Sequence, residues 1–443
     1  MTTKRYWHVG VRLLAGVGVA CAVVVLPVWP VGLARTQVGA RLTTAHPWVG
    51  KGQWIRADTH THTRFSDGNR TVDDVAAQAE KYGCDAVAIT DHSSRERGAA
   101  TPEYAAAIRA ARLAHPRLMV VAGVEWNVPP YNSREHVSVL IPESATEEAT
   151  LAEFKRRFDD FDRIDGTKPR AEDALAWLAQ LKGLGAPPVA VYNHPSRKDE
   201  TSLENVEDMT RWRSGNDIMI GFEGGPGHQG TEPLGSYDAK IKTIDRWDPV
   251  VAKPGDGWDT LLQRGIDIHA AAASADFHTD NPANLNDFWP CQFVETWYYV
   301  PERSAVGLLR AMHAGTFFGV HGHIAKEVEF TASATGLARP AVAGERISAP
   351  AGTAINFSVR ATVPDVDWRG APNRLDAIEF ITVKPGGVTE QSYPIDGPGV
   401  RTATHRVTIG TEDVVVRARG RRVVSDGPDL MFYTNAIRVV VRR

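Results

Sequence analysis

Six apolar runs of strand length alternate with helix-like segments between residues 84 and 278, and no other feature of the chain limits its fold as much. The runs are CDAVAIT (84–90), LMVVAGVE (118–125), HVSVLI (136–141), PVAVYNH (188–194), IMIGFEG (218–224) and IHAAAASADFH (268–278). Between them lie VDDVAAQAEKYG, EYAAAIRAARLA, EDALAWLAQLKGLG and GWDTLLQRG, several closed by a glycine of the kind that ends helices. Strands alternating with helices predict an α/β fold with a parallel sheet covered by helices, either a barrel or an open doubly wound sheet. From about residue 326 the texture changes. EVEFTASA, AINFSVRATV, AIEFITV, HRVTIG, DVVVRARG and AIRVVVRR alternate every second residue between Gly, Pro and Asp turns. This predicts a separate antiparallel β-sandwich domain over 326–443.

The N-terminus follows a third pattern. After Lys4, Arg5 and Arg12 comes an uncharged stretch from Leu13 to Ala34, long enough as a helix to cross about 30 Å of hydrocarbon. Residues 1–35 are expected to be a signal anchor or a cleaved signal peptide, followed by a polar linker over 36–52. The basic residues lie before the apolar stretch, which places the rest of the chain outside the cytoplasm, periplasmic or at the cell surface, membrane-anchored or secreted. Membrane contact is expected through this helix if it stays uncleaved.

A net charge of −3 provides no broad basic surface, so no nucleic-acid partner is expected and a small-molecule substrate fits better. Only three cysteines occur, and Cys21 lies inside the apolar stretch. No disulfide framework can be read from the other two, Cys84 and Cys291. Thiolate clusters are excluded by the same count, so any metal must be held by nitrogen and oxygen.

Such ligands gather at the ends of the runs. The stretch ADTHTHTRFSDG (57–68) sets His60 and His62 two positions apart, where a strand points both side chains to one face, with Asp67 following. TDH ends in His92, GVE in Glu125 and NHP centres on His194, while ADFH carries Asp276 and His278 and His136 opens HVSVLI. Each residue alone has an ordinary explanation as a core histidine, a turn aspartate or a strand end. Strand ends in parallel α/β folds converge on one mouth, however, and the joint pattern predicts a polynuclear metal site.

The ordered set HTHTRFSDG, TDH, GVE, EHVSVL, NHP and ADFH resembles the PHP (polymerase and histidinol phosphatase) superfamily of metal-dependent phosphoesterases, over roughly residues 53–325. The resemblance implies a distorted (β/α)7 barrel and a hydrolase holding two or three divalent ions, zinc, manganese or iron. By position, His60, His62, Glu125 and Asp276 would hold a first ion. Glu125 would bridge to a second held by His136 and His194, and Asp67, His92 and His278 would hold a third. Asp58 and Asp91 are candidate acceptors that fix the tautomers of neighbouring histidines, with turn capping as the alternative for Asp91.

The expected reaction is cleavage of a phosphoester in a small substrate by a metal-bridging hydroxide, with Asp276 or His278 handling the proton. GFEGGPGHQG (221–230) offers glycine N–H groups and His228 to the substrate, and Arg134, Arg197, Lys198 and Lys253 are candidate phosphate partners. His321 and His323 in GVHGH lie beyond the last motif, where a structural role is favoured. The segment ending DGPDLMFYTNAIRVVV resembles the tail of extracytoplasmic PHP hydrolases related to carbaryl hydrolase, a group with esterase and carbamate-hydrolysing members. Carboxyl ester or carbamate hydrolysis is therefore the alternative, followed by a non-catalytic binding module.

Overall fold

The computed structural model describes residues 39–442 apart from 95–96, 130–134, 160–168, 199–200, 231–232, 282–285 and 426. The expected signal or anchor helix over Leu13–Ala34 and the candidate phosphate partner Arg134 lie outside the described residues. Among the described residues no helix is long and apolar enough to cross a membrane.

Strands Ala86–Ile89, His136–Ile141, Val189–Asn193 and Met219–Gly225 are buried along their whole length. Continuous apolar strands of this kind need cover on both faces, and helices supply it. Three of those helices start where the sequence places a threonine. The hydroxyl of Thr71 accepts from Asp74 N at the head of Val72–Lys81, Thr101 does the same from Tyr104 N for Pro102–Ala114, and Thr201 from Glu204 N for Ser202–Trp212. Helix Ala305–Ala314 ends on Gly315, whose φ of 70° suits a residue without Cβ.

The strands form a mixed sheet rather than the parallel one expected. Its order runs Ala272–Ala273, Met219–Gly225, Val189–Asn193, His136–Ile141, Met119–Asn127, Ala86–Ile89, Gln53–Asp58, Val294–Val300, Phe317–His321. Gln53–Asp58 is parallel to Ala86–Ile89, which is parallel to Met119–Asn127, but His136–Ile141 runs antiparallel to both of its neighbours. The cause is the connection: only residues 128–135 separate Met119–Asn127 from His136–Ile141, too few for the crossover that parallel strands require. A parallel bridge between Thr61 and Phe277 joins the extensions of Gln53–Asp58 and Ala272–Ala273.

C-terminal strands divide between two sheets. Ala341–Val342, Lys326–Ser333, Ala354–Val363 and Gly399–Thr408 make a separate antiparallel sheet of four strands, in which Ala354–Val363 buries alternate residues as its pattern requires. Leu430–Thr434 instead pairs with Phe317–His321, through Phe318 with Thr434, Gly319 with Tyr433 and Val320 with Phe432. Through it Val414–Arg422, Ile437–Arg442 and Arg346–Pro350 continue the large sheet. Within 36–52, Arg41–Thr44 is a strand paired with Arg346–Pro350.

Cys84 and Cys291, from whose count no disulfide framework could be read, form a disulfide. Their Cα atoms lie 5.7 Å apart across 207 positions of sequence, a proximity that only the sheet order creates.

Candidate metal centre

Because His136–Ile141 runs antiparallel to its neighbours, its first residue lies at the same end of the sheet as their last ones. His136 pairs in register with Asn127 on one side and Asn193 on the other. This is why one ligand candidate opens its run while the others close theirs.

Glu125 is the point of convergence. Its Oε1 lies 2.9 Å from His194 Nε2, 3.1 Å from His136 Nδ1 and 3.3 Å from His60 Nε2. Its Oε2 lies 3.2 Å from His62 Nε2 and 3.2 Å from His92 Nε2. Asn193 Nδ2 donates to Oε1 at 2.9 Å and so fixes the carboxylate from behind.

Four groups of ligand atoms lie within 4.8 Å of one another: His60 with Glu125 and His194, His60 with His62 and Asp276, His62 with Asp67 and His92, and His92 with Glu125 and His136. These groups bring together eight of the nine residues expected to bind metal. The ninth, His278, stands at their edge. Its ring stacks on His62 at 4.0 Å, and its Nε2 is 3.8 Å from Asp67 Oδ1.

The donor set fits divalent metal. His60 Nε2 and His62 Nε2 are 3.2 Å apart, and Asp276 Oδ1 lies 3.1 Å from the first and 3.3 Å from the second. Two imidazole nitrogens and a carboxylate oxygen that close agree only through a shared cation or added protons, and imidazole with carboxylate is the ligand chemistry of zinc, manganese and iron.

The charges are set by the same proximity. Burial works against ionisation of Glu125, but His136, His60 and His92 hold its carboxyl well below the usual range. Burial likewise opposes ionisation of Asp276, and His60 and His278 outweigh it. On His60 burial is overcome by Asp276, Glu223 and Glu125, which raise its pKa well above the ordinary value. His136 goes the other way, pushed down to about 3 by burial despite Glu125.

Backbone conformation and neighbouring carboxylates position the ligand candidates. His194 and Asp276 are non-glycine residues with φ of 31° and 46°, strained conformations that surrounding structure must impose and that gather at functional sites. Asp58 Oδ1 accepts from His60 N at 3.1 Å and its Oδ2 from Ala275 N at 2.8 Å. Asp91 accepts from Thr63 N at 2.7 Å and from Ser66 Oγ at 2.6 Å. Both aspartates therefore tie backbone and loop, and neither reaches a ligand imidazole as a tautomer-fixing acceptor.

Glu223 does reach one, and sequence reasoning missed it. It closes strand Met219–Gly225, and its Oε1 is 3.1 Å from His60 Nδ1. The signal was available, since GFEGG ends an apolar run in a carboxylate as GVE does, but the surrounding glycines drew the reading toward a loop. Tyr237, whose ring stacks on His194 at 5.7 Å, carried no such signal.

Arg197 is at the centre, with Nη2 3.0 Å from His136 Nε2. Lys253 pairs with Asp256 at 3.3 Å instead. His228, expected to meet substrate, is fully buried, donates from Nδ1 to the Ser274 carbonyl at 2.7 Å and packs against His321 and Phe293. That enclosure leaves it no open face for a substrate and pushes its pKa down to about 3. His321 is also fully buried, and His323 Nε2 donates to the Cys291 carbonyl at 3.1 Å, both in structural positions.

Residues 58–184 match the PHP domain family, a stretch that opens on Asp58 and takes in every ligand candidate from His60 to His136. The chain carries a PHP domain. No curated protein matches the chain significantly. Among solved structures, a two-domain protein of Bacteroides vulgatus, described as containing a predicted PHP-like metal-dependent phosphoesterase, overlaps 88% of this chain and 96% of its own, at 14% identity and a TM-score of 0.39. An amidohydrolase of Chromobacterium violaceum, with bound sulfate and no metal, overlaps 52% of this chain and 90% of its own, at 17% identity and a TM-score of 0.31.

Proposed function

We propose that the protein is a metal-dependent hydrolase that cleaves phosphoester bonds of a small substrate at a multinuclear centre. The observation that carries this reading is Glu125, one buried carboxylate within 3.3 Å of five imidazoles from four segments of the chain. A carboxylate shared in this way suits a bridge between cations, whose mutual repulsion it offsets. His60, His62, Asp276, Glu125, His136, His194, Asp67, His92 and His278 would hold two or three ions. Bound divalent ions there would lower the pKa of water and neutralise phosphoryl oxygens.

The chain's own groups do the rest. Asp276, ionised despite its burial, is placed to accept a proton from attacking water. His278 donates from Nδ1 to the Asp276 carbonyl at 2.8 Å, which leaves the Nε2 lone pair, on a side chain 32% exposed, to join Asp67 in holding an ion. Arg197, beside His136, gives the phosphoryl group a fixed positive partner.

The finer parts of the fold belong to the same reading. A closed (β/α)7 barrel over 53–325 is supported by the Thr61–Phe277 bridge, and a sandwich over 326–443 by the separate four-stranded sheet. An extracytoplasmic location is supported by the basic residues before Leu13–Ala34 and by the disulfide, since such bonds persist mainly outside reducing compartments.

The test is turnover of aryl phosphates, phosphodiesters, carboxyl esters and carbamates by metal-replete protein, against the same protein treated with chelator. Chelator-sensitive release of phosphate is expected. Turnover confined to esters or carbamates would move the reaction to carboxyl or carbamoyl transfer to water, and inertness at full metal content would point to a binding module.

A further inference from the structure

Among the ligand histidines whose Nδ1 turns away from the metal centre, His60 has a distinctive partner. His92 Nδ1 donates to the Glu125 carbonyl at 3.2 Å and His278 Nδ1 to the Asp276 carbonyl at 2.8 Å, both neutral acceptors. His60 Nδ1 faces the carboxylate of Glu223, 3.1 Å from Oε1 and 3.3 Å from Oε2. Glu223 is buried, and a carboxylate only accepts, so the proton between the two groups resides on Nδ1. The Nε2 lone pair is thereby turned toward Asp276 Oδ1, Glu125 Oε1 and His62 Nε2.

The same carboxylate reaches two more strand ends. Its Oε2 accepts from His194 N at 3.3 Å, and Ser274 Oγ donates to Oε1 two residues before Asp276. Three segments that carry ligand candidates, from separate parts of the chain, thus meet on one side chain that lies in none of the four ligand groups.

We propose that Glu223 is the positioning residue of the centre, which fixes His60 as an Nε2 ligand and sets the affinity of the ion that His60 shares with His62 and Asp276. The role rests on the metal-dependent reading given above. Outer partners of this type carry about 10–100-fold in metal affinity.

Glu223→Gln is the direct test. The glutamine keeps the size, but its NH2 must face either His60 Nδ1–H or His194 N–H, a donor against a donor. Zinc chloride titrated against a chromophoric chelator should show one equivalent bound about 10–100-fold more weakly, with the remaining equivalents unchanged. A merely structural carboxylate would weaken all equivalents together. Binding equal to wild type would overturn the role.

If Glu223→Gln does not fold, ring-15N histidine spectra of the zinc-loaded wild type decide, with His60 assigned by its loss in His60→Gln. Protonation at Nδ1 is expected, and protonation at Nε2 would overturn the proposal. A wild-type chain that takes up no zinc would remove the hydrolase reading and this role together, whereas a zinc-binding wild type with an equally tight Glu223→Gln variant would remove this role alone.

Discussion

Glu125 gathers five histidines, and its loss should be felt differently from the loss of any one of them. Glu125→Ala takes away an oxygen near His60, His136 and His194 and another near His62 and His92. It should release more than one equivalent of metal by elemental analysis, whereas His194→Ala, which removes a ligand from a single group, should release about one. Full occupancy in the Glu125 variant would take the bridge out of the site. The ligand candidates stood out in the sequence because metal chemistry uses few residue types and this fold puts them at strand ends. Glu223 was not, because a carboxylate that acts through a histidine has no spacing of its own and is one among 53 acidic residues. His228 is the opposite case: glycines on both sides suggested an accessible loop, but the side chain is buried, and Gly227, with a φ of 50°, has no Cβ where the Tyr237 ring lies.

At the scale of elements, hydrophobic runs gave away where strands lie but not which way they point. Direction follows from the connections, and residues 128–135 connect two strands that each look like a parallel-sheet strand by composition. The disulfide was hidden for a related reason, since Cys84 follows helix Val72–Lys81 and Cys291 precedes strand Val294–Val300, with most of the α/β part between them. Closing a loop that long restricts the unfolded chain strongly. The Cys84→Ser, Cys291→Ser double variant should therefore lose about 2–5 kcal/mol of unfolding free energy in urea. The bond also reports on location. When thiols are alkylated in intact cells before lysis, Cys84 and Cys291 should escape modification, and their quantitative alkylation would count against an extracytoplasmic domain.

For the whole molecule, the question is whether residues 326–443 can be removed without harm to the centre. All nine ligand candidates precede residue 279, and none of the ligand groups uses a later residue. Yet the cut would strip Leu430–Thr434 from Phe317–His321, leaving an unpaired sheet edge of the sort that templates association between chains. It would remove Asn435, whose Oδ1 accepts from Ala270 N at 3.0 Å and Ala271 N at 3.2 Å, and it would uncover Trp247, whose ring lies 4.3 Å from that of Tyr433. The gravest loss is Arg417. Its Nε and Nη2 bind the Asp259 carboxylate at 2.8 and 3.0 Å with both side chains fully buried, and its guanidinium covers the Trp258 ring at 4.6 Å. Taking one partner from a buried ion pair costs about 3–5 kcal/mol because the other charge stays behind. A chain of residues 36–325 should consequently bind its metals, measured by elemental analysis, but elute from size exclusion as aggregate. Soluble, monomeric, fully active protein of that length would show the C-terminal strands to be dispensable. Loss of metal on truncation would show instead that the shared sheet, anchored through Leu430–Thr434, is what keeps the strand ends, and with them the ligands, in place.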